Sequence, residues 1–130
     1  MIQGSCLCGK VRYEIDGSLS RVSHCHCSQC RKAHGAAFGT YASVERADFK
    51  LLSGERDIVS YSSSPGVQRT FCGRCGSTLQ FVRESRPESF SLALGTLDTD
   101  PGVRPQHHIF VGSKAPWYEI ADQLPQREQH

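Results

Sequence analysis

Apolar and polar residues alternate with a period of two along much of the chain. The segment Lys10–Ile15 predicts a half-buried strand with Val11, Tyr13 and Ile15 on one face. Further short apolar or β-branched runs occur at residues 37–42, 49–52, 58–61, 67–71, 78–82, 90–94 and 108–111. Turn formers such as Asp16-Gly17 separate these runs. About eight short strands joined by turns predict an all-β fold.

One short helix is expected, at residues 28–33. Ser28 is suitable as its N-cap, and Gly35 is suitable to end it. The helix would begin beside a group of three cysteines. We therefore expect one or two helical turns within an otherwise β structure.

Two features near the C-terminus are expected to have no part in a functional site. A lone tryptophan in a small β protein is usually part of the core, so we favour core packing of Trp117 over a place in a substrate cleft. Residues 126–130 are polar and are expected to fray.

Length and composition limit the class of protein. The chain has 130 residues, of which 38% are apolar and 22% charged, so we expect one globular domain over residues 1–130. The net charge is only +2 and the basic residues are scattered, which argues against a nucleic-acid partner. The N-terminus lacks a basic segment followed by an apolar one, and no window approaches the ~20 apolar residues of a membrane span. These features predict a cytoplasmic protein without a membrane partner.

The cysteines carry most of the chemical information. There are seven, an odd number, and they fall in three short-spaced groups: Cys6/Cys8, Cys25/Cys27/Cys30 and Cys72/Cys75. A disulfide between cysteines two or three residues apart is strained, whereas a turn that presents two thiolates at this spacing suits a tetrahedral ion. The pattern therefore favours metal binding over a disulfide framework.

The spacing alone leaves the division of these ligands open. Residues 72–76 form a zinc knuckle, and a four-thiolate site could be completed either by Cys6/Cys8 or by Cys27/Cys30. Seven ligands divide naturally into a closed site of four and an open site of three. Iron would also suit four thiolates, but zinc is favoured because such closed sites are a common structural zinc arrangement.

Motifs over nearly the whole chain resemble one known family, the glutathione-dependent formaldehyde-activating enzymes, also called the centromere protein V family. The motifs that carry the resemblance are residues 4–13, 24–32, 61–64, 69–77 and 108–114, together with Trp117.

The resemblance implies a fold, two metal sites and an activity. It implies a zinc-bearing β-tent fold with two zinc ions per chain, the structural one on Cys6, Cys8, Cys72 and Cys75 and the second on Cys25, Cys27 and Cys30. The implied activity is that of a carbon–sulfur lyase, which reversibly adds the thiol of glutathione, or of a related small thiol, to formaldehyde or another aldehyde. The alternative is a zinc-stabilised binding module without turnover, since one fold can host enzymes and non-enzymes.

Basic residues and histidines lie around the three central cysteines. Arg31 and Lys32 directly follow Cys30 and are candidates for binding the carboxylates of glutathione, although a solvated surface pair is the simpler interpretation. Arg69 is expected to pair with a carboxylate or a backbone carbonyl.

For the histidines we favour roles other than metal ligation. His24, His26 and His34 could each provide a fourth ligand or carry protons, but an outer or exposed role is preferred. His107 and His108 precede an apolar run and are expected at the start of a strand.

Overall fold

The computed structural model describes all 130 residues and consists mainly of strands. The strands are β1 (Ile2–Ser5), β2 (Arg12–Ile15), β3 (Ser20–Cys25), β4 (Gly39–Glu45), β5 (Phe49–Ser53), β6 (Ile58–Ser64), β7 (Val67–Cys72), β8 (Thr78–Arg83), β9 (Ser89–Ala93) and β10 (His107–Ile109). One α-helix, α1 (Ser28–His34), follows β3, and 3-10 turns occupy Arg46–Asp48, Glu55–Asp57, Leu94–Thr96 and Val111–Ser113. The all-β prediction is confirmed. None of the helices has the length and apolar character that a membrane crossing requires.

The strands form two sheets that share a core. The smaller sheet has the order β1-β2-β5, and the larger has the order β10-β3-β4-β9-β8-β7-β6. All neighbouring strands are antiparallel except β10 and β3. The main buried cluster draws on both sheets and consists of Tyr13, Ile15, Leu19, Val22, Ala42, Val44, Phe90 and Leu92. Burial of these side chains holds the sheets against each other.

Two strands were not expected from the sequence. β1 has a single large apolar residue, Ile2, and β3 has polar residues at most positions, so neither shows the alternation of a half-buried strand. Both form because they pair with stronger neighbours, β1 with β2 and β3 with β4. Tertiary pairing therefore overrides a weak local pattern.

Helix α1 is present, but its N-cap differs from the prediction. Cys27 caps it rather than Ser28, because the sulfur of Cys27 accepts the amide proton of Cys30. Gly35 ends the helix as predicted: its φ of 61° lies in the left-handed region, and its amide donates to the carbonyl of Arg31. The C-terminal end of α1 is thus fixed by a residue without a Cβ.

The C-terminal segment departs from both expectations. Trp117 is 69% exposed and does not belong to the core. Residues 126–130 do not fray, because they lie beside β10. The amide of Arg127 donates to the carbonyl of His108, and the amide of Phe110 donates to the carbonyl of Gln129. The polar composition of residues 126–130 gave no indication of these backbone hydrogen bonds.

Two candidate metal centres

The first group of thiols joins two similar turns. Cys6 and Cys8 lie in the turn between β1 and β2, while Cys72 ends β7 and Cys75 lies in the turn between β7 and β8. The sulfur of Cys8 is 3.6 Å from that of Cys6 and 3.9 Å from that of Cys72. Four sulfurs about 2.3 Å from one ion in a tetrahedron would be about 3.8 Å apart. The geometry therefore fits a closed tetrahedral site.

Both turns bend in the same way around their sulfurs. Gly9 and Gly76 have φ angles of 79° and 81°, in the left-handed region that glycine adopts without a steric penalty. The amide of Gly9 donates to the carbonyl of Cys6, and the amide of Gly76 donates to that of Cys72. The amide of Val11 also donates to the Cys6 sulfur at 3.3 Å. Such N–H donors stabilise a thiolate and so favour metal binding.

The second group contains three thiols, at the junction of β3 and α1. Cys25 ends β3, Cys27 caps α1, and Cys30 lies within the first turn of α1. Their sulfurs lie within 4.8 Å of one another, and no other cysteine belongs to the group. Cys25 and Cys30 are buried, whereas Cys27 is partly exposed. Three thiols with one side accessible could hold an ion that keeps an open position.

Arg69 lies against this second group and pairs with neither a carboxylate nor a backbone carbonyl, so the prediction of its partner is wrong. The residue is 8% exposed, and the two terminal nitrogens of its guanidinium are 3.8 and 3.7 Å from the sulfur of Cys30. It also donates to the hydroxyls of Tyr41, at 3.2 Å, and Ser63, at 3.1 Å. The guanidinium group lies over the ring of Phe81 at 4.8 Å. A buried cation needs a countercharge, and the thiol of Cys30 can supply it once it is ionised by a bound metal.

The three thiols of the second group differ in how readily they ionise: hydrogen bonding within the group and burial raise the pKa values of Cys25 and Cys30, whereas the pKa of Cys27 is lowered. Its pKa is held well below the ordinary value of a thiol by the adjacent thiols of Cys25 and Cys30, by the amide of Cys30 and by the charge of Arg69. A thiol that ionises readily is prepared to bind a metal ion.

The histidines near the three thiols make hydrogen bonds of their own, and neither group of thiols includes one of them. His24 bonds to the hydroxyl of Thr40 at 2.7 Å. His26 is fully buried, and its Nε2 lies 2.8 Å from Nδ1 of His108. His108 Nε2 in turn contacts the carboxylate of Asp122 at 3.0 Å. The strand start at His107 is as expected, but the sequence carried no signal for the link from His26 to Asp122, because these residues are far apart in the chain.

The two basic candidates lie on α1, directly after Cys30. Lys32 is exposed, Arg31 is partly buried, and neither forms an ion pair with an acidic side chain. The Nε atom of Arg31 is buried and has no hydrogen-bond partner. Both cations are therefore free to pair with an anionic ligand.

An open cavity of about 410 Å³ lies between the C-terminal end of α1 and the β7–β8 turn. Ala93, in its wall, belongs to the same packed cluster as Cys25, Cys30 and Tyr41. The side chain of His34 also lines the cavity. No cysteine lines the cavity, and Ser77, which does, lies 3.4 Å from the sulfur of Cys75 in the first group.

The fold and the two groups of thiols define a mainly β protein with two cysteine sites suited to metal ions. The family model described as "Glutathione-dependent formaldehyde-activating enzyme" matches residues 1–113. A Halomonas elongata protein that is named for the glutathione-dependent formaldehyde-activating enzyme is 30% identical over 128 residues, which cover 92% of this chain and 81% of that one. The chain belongs to the glutathione-dependent formaldehyde-activating enzyme family.

Two further relatives show how far the likeness extends. An uncharacterised lyase of Schizosaccharomyces pombe is 29% identical over 80 residues, which cover 62% of this chain and 56% of that one. The crystal structure of a Rhodobacter sphaeroides protein superposes with a TM-score of 0.63 and 26% identity, and covers 79% of this chain and 91% of that chain. The family match and the names of the two relatives from Halomonas elongata and Schizosaccharomyces pombe support a function of the glutathione-dependent, lyase type.

Proposed function

We propose that this protein is a zinc-dependent carbon–sulfur lyase. It makes and breaks the adduct of glutathione, or of a related small thiol, with formaldehyde or another aldehyde, in the manner of an S-hydroxymethylglutathione synthase. The observation that carries the proposal is the group of three thiols at Cys25, Cys27 and Cys30, with the buried cation of Arg69 against it. We further propose that residues 1–130 form one domain with two zinc ions.

The two sites have different tasks in this proposal. Cys6, Cys8, Cys72 and Cys75 hold a structural ion that connects the turns of the two sheets. At the second site, a zinc ion held by three thiolates would supply an open position at which a substrate thiol ionises near neutral pH. Cys25, Cys27 and Cys30 hold that ion, while Arg69 offsets part of their negative charge.

Arg31 and Lys32 bind the carboxylates of the thiol substrate in this proposal. They follow Cys30 on α1 and have no acidic partner, so their charges are available beside the second site. Guanidinium and ammonium groups are the usual protein partners of carboxylates. This placement favours glutathione, which has two carboxylates, over an uncharged thiol.

The zinc-loaded protein is expected to accelerate exchange between free glutathione and formaldehyde and their S-hydroxymethyl adduct. The uncatalysed reaction is quick, so exchange is measured by NMR exchange spectroscopy with and without protein. Cys27→Ser should abolish the acceleration, because only two thiols of the second group remain. Acceleration that survives this substitution would contradict the proposal. Absence of any acceleration with small thiols would favour the binding module.

The double variant Arg31→Ala, Lys32→Ala is expected to raise the glutathione concentration needed for half-maximal exchange, with a smaller effect on the maximal rate. The reason is that carboxylate contacts far from the reacting carbon stabilise ground and transition states alike. The control is Lys50→Ala, Arg56→Ala, which removes two exposed cations from elsewhere on the surface. Equal effects of the two double variants would show that only net charge matters.

A further inference from the structure

Two fully buried histidines and one carboxylate form a chain of hydrogen bonds that adjoins the second group of thiols. Nε2 of His26 lies 2.8 Å from Nδ1 of His108, and Nε2 of His108 lies 3.0 Å from the carboxylate of Asp122. Both rings are fully buried, whereas the side chain of Asp122 is 45% exposed. The chain therefore leads from the surface of the C-terminal segment to the residue between Cys25 and Cys27.

The backbone at His26 is fixed as well as its ring. β10 pairs with β3 as far as Cys25, and the amide of His26 donates to the carbonyl of Ile109 at 2.9 Å. Cys25 ends β3, and Cys27 is also extended, with φ of −62° and ψ of 151°. Successive side chains of an extended chain point to opposite sides, so the ring of His26 and the two neighbouring sulfurs face different ways. A displacement of His26 would therefore move both sulfurs.

The carboxylate determines the direction of the outermost hydrogen bond. The hydrogen bond from His108 lowers the pKa of Asp122 below its ordinary value, so the carboxylate is ionised at neutral pH. An ionised carboxylate only accepts, and Nε2 of His108 therefore carries a proton. A second proton lies between Nδ1 of His108 and Nε2 of His26, and either ring can hold it. In both arrangements His26 stays bonded to His108.

The bond to His108 is the only side-chain hydrogen bond that His26 makes within the protein. Its other ring nitrogen, Nδ1, is buried without a partner. The ring of Phe38 lies 5.1 Å from that of His26, and the ring of Tyr118 lies 6.2 Å from it, so aromatic groups cover the imidazole. A buried polar ring that loses its last hydrogen bond is costly. The orientation of His26 thus depends on His108.

The C-terminal segment holds Asp122 and His108 together. The amide of Leu124 donates to the carboxylate of Asp122 at 3.0 Å. The amide of His108 donates to the carbonyl of Pro125, and the amide of Arg127 donates to the carbonyl of His108, both at 2.9 Å. The family match ends at residue 113, so Asp122 lies outside it. Residues 122–127 therefore bind the backbone and the side chain of His108 at once.

We propose that His26, His108 and Asp122 are positioning residues of the second metal site. Their hydrogen bonds keep the sulfurs of Cys25 and Cys27 in the arrangement that a tetrahedral ion requires. Partners outside the ligand set orient metal ligands, and their removal usually lowers metal affinity 10- to 100-fold. Here the effect passes through the backbone of residue 26. The inference rests on the proposed function, because it assigns a metal ion to the second group of thiols.

Asp122→Ala tests the inference, since the partly exposed carboxylate can be removed without leaving a cavity in the core. We expect the zinc affinity of the second site to fall roughly tenfold, measured on the full chain by competition with a coloured chelator, while the first site is unchanged. Asp122→Asn keeps an oxygen that accepts from His108 and should recover most of the affinity. The sulfur-to-metal charge-transfer band of the cobalt-substituted protein should shift in Asp122→Ala, which a loss of stability alone would not produce.

Asp100→Ala is the matched control. Asp100 also accepts the amide two residues later, that of Gly102 at 2.8 Å, and it pairs with Arg104 at 2.8 Å. No hydrogen bond of Asp100 leads to a thiol, so its removal should leave both zinc affinities unchanged. Proton–nitrogen NMR of the histidine rings adds a second measurement. The ring signals of His26 and His108 should both change in Asp122→Ala and in neither case in Asp100→Ala.

Several results would overturn the inference. They are an unchanged second-site affinity in Asp122→Ala, equal weakening by Asp100→Ala, no recovery in Asp122→Asn, or equal weakening of both zinc sites. The binding measurements do not depend on activity. Weaker zinc binding at the second site of a protein that does not accelerate the exchange reaction would support the positioning role and contradict the proposed lyase function. An active enzyme in which Asp122→Ala binds zinc normally would contradict the positioning role alone.

Discussion

Cys72→Ser is expected to cost most of the stability of the protein, whereas Cys27→Ser should leave it folded with one zinc ion fewer. The sulfur of Cys72 is fully buried and belongs to the group that joins the β1–β2 turn of one sheet to the β7–β8 turn of the other. Metal bound at such a site contributes on the order of 10 kcal/mol to folding.

Substitution of Cys27 can remove a metal ligand without removing the cap of α1. It caps α1 by accepting the amide of Cys30, and serine is itself a favourable N-cap. Cys27→Ser therefore removes a thiol while it preserves the cap. Thermal unfolding of the reduced proteins measures the loss of stability, and metal analysis gives the number of zinc ions per chain. We expect two zinc ions in the unaltered chain and one in the Cys27→Ser variant. Equal losses of melting temperature in both variants would contradict the division into a structural and an open site.

Arg69→Met is expected to weaken zinc binding at the second site about 10- to 100-fold, the usual effect of removing an outer partner of metal ligands. The substitution takes a buried positive charge away from Cys30 and leaves the hydroxyl of Tyr41 without its donor. Competition with a coloured chelator measures the affinity. The sulfur-to-metal charge-transfer band of the cobalt-substituted protein should also shift, which a purely structural role for Arg69 would not produce.

Two variants control this experiment. Arg69→Lys keeps the charge but loses the forked donors, so it should recover part of the affinity. Arg83→Met removes an exposed guanidinium that lies over the same Phe81 ring, at 5.4 Å, and should change nothing at the second site. Equal weakening of both zinc sites by Arg69→Met would indicate loss of the fold and would contradict a specific role.

Much of the architecture could be predicted from local patterns. The alternation of Val11, Tyr13 and Ile15 correctly indicated a buried strand face, and all three side chains are buried. Gly35 correctly indicated the end of α1. These inferences succeed because side-chain period and left-handed backbone geometry are properties of short segments.

Other features depended on partners distant in sequence. β3 lacks an apolar pattern and forms through β4, while the final residues are ordered by β10. Trp117 was expected in the core and is exposed, because an aromatic residue is buried only where neighbouring elements cover it.

For the candidate site, the sequence by itself determined which side chains carry the chemistry. Seven closely spaced cysteines already indicate metal, since a turn with two thiols suits an ion better than a disulfide. Spacing left open which groups of thiols meet, and the family resemblance implied the division. The tertiary structure brings Cys6 to Cys72 because one sheet packs against the other. It also placed Arg69 on Cys30 and His34 on the hydroxyl of Tyr41. Such contacts join separate strands and a helix, and the order of residues along a chain does not encode which of them will touch.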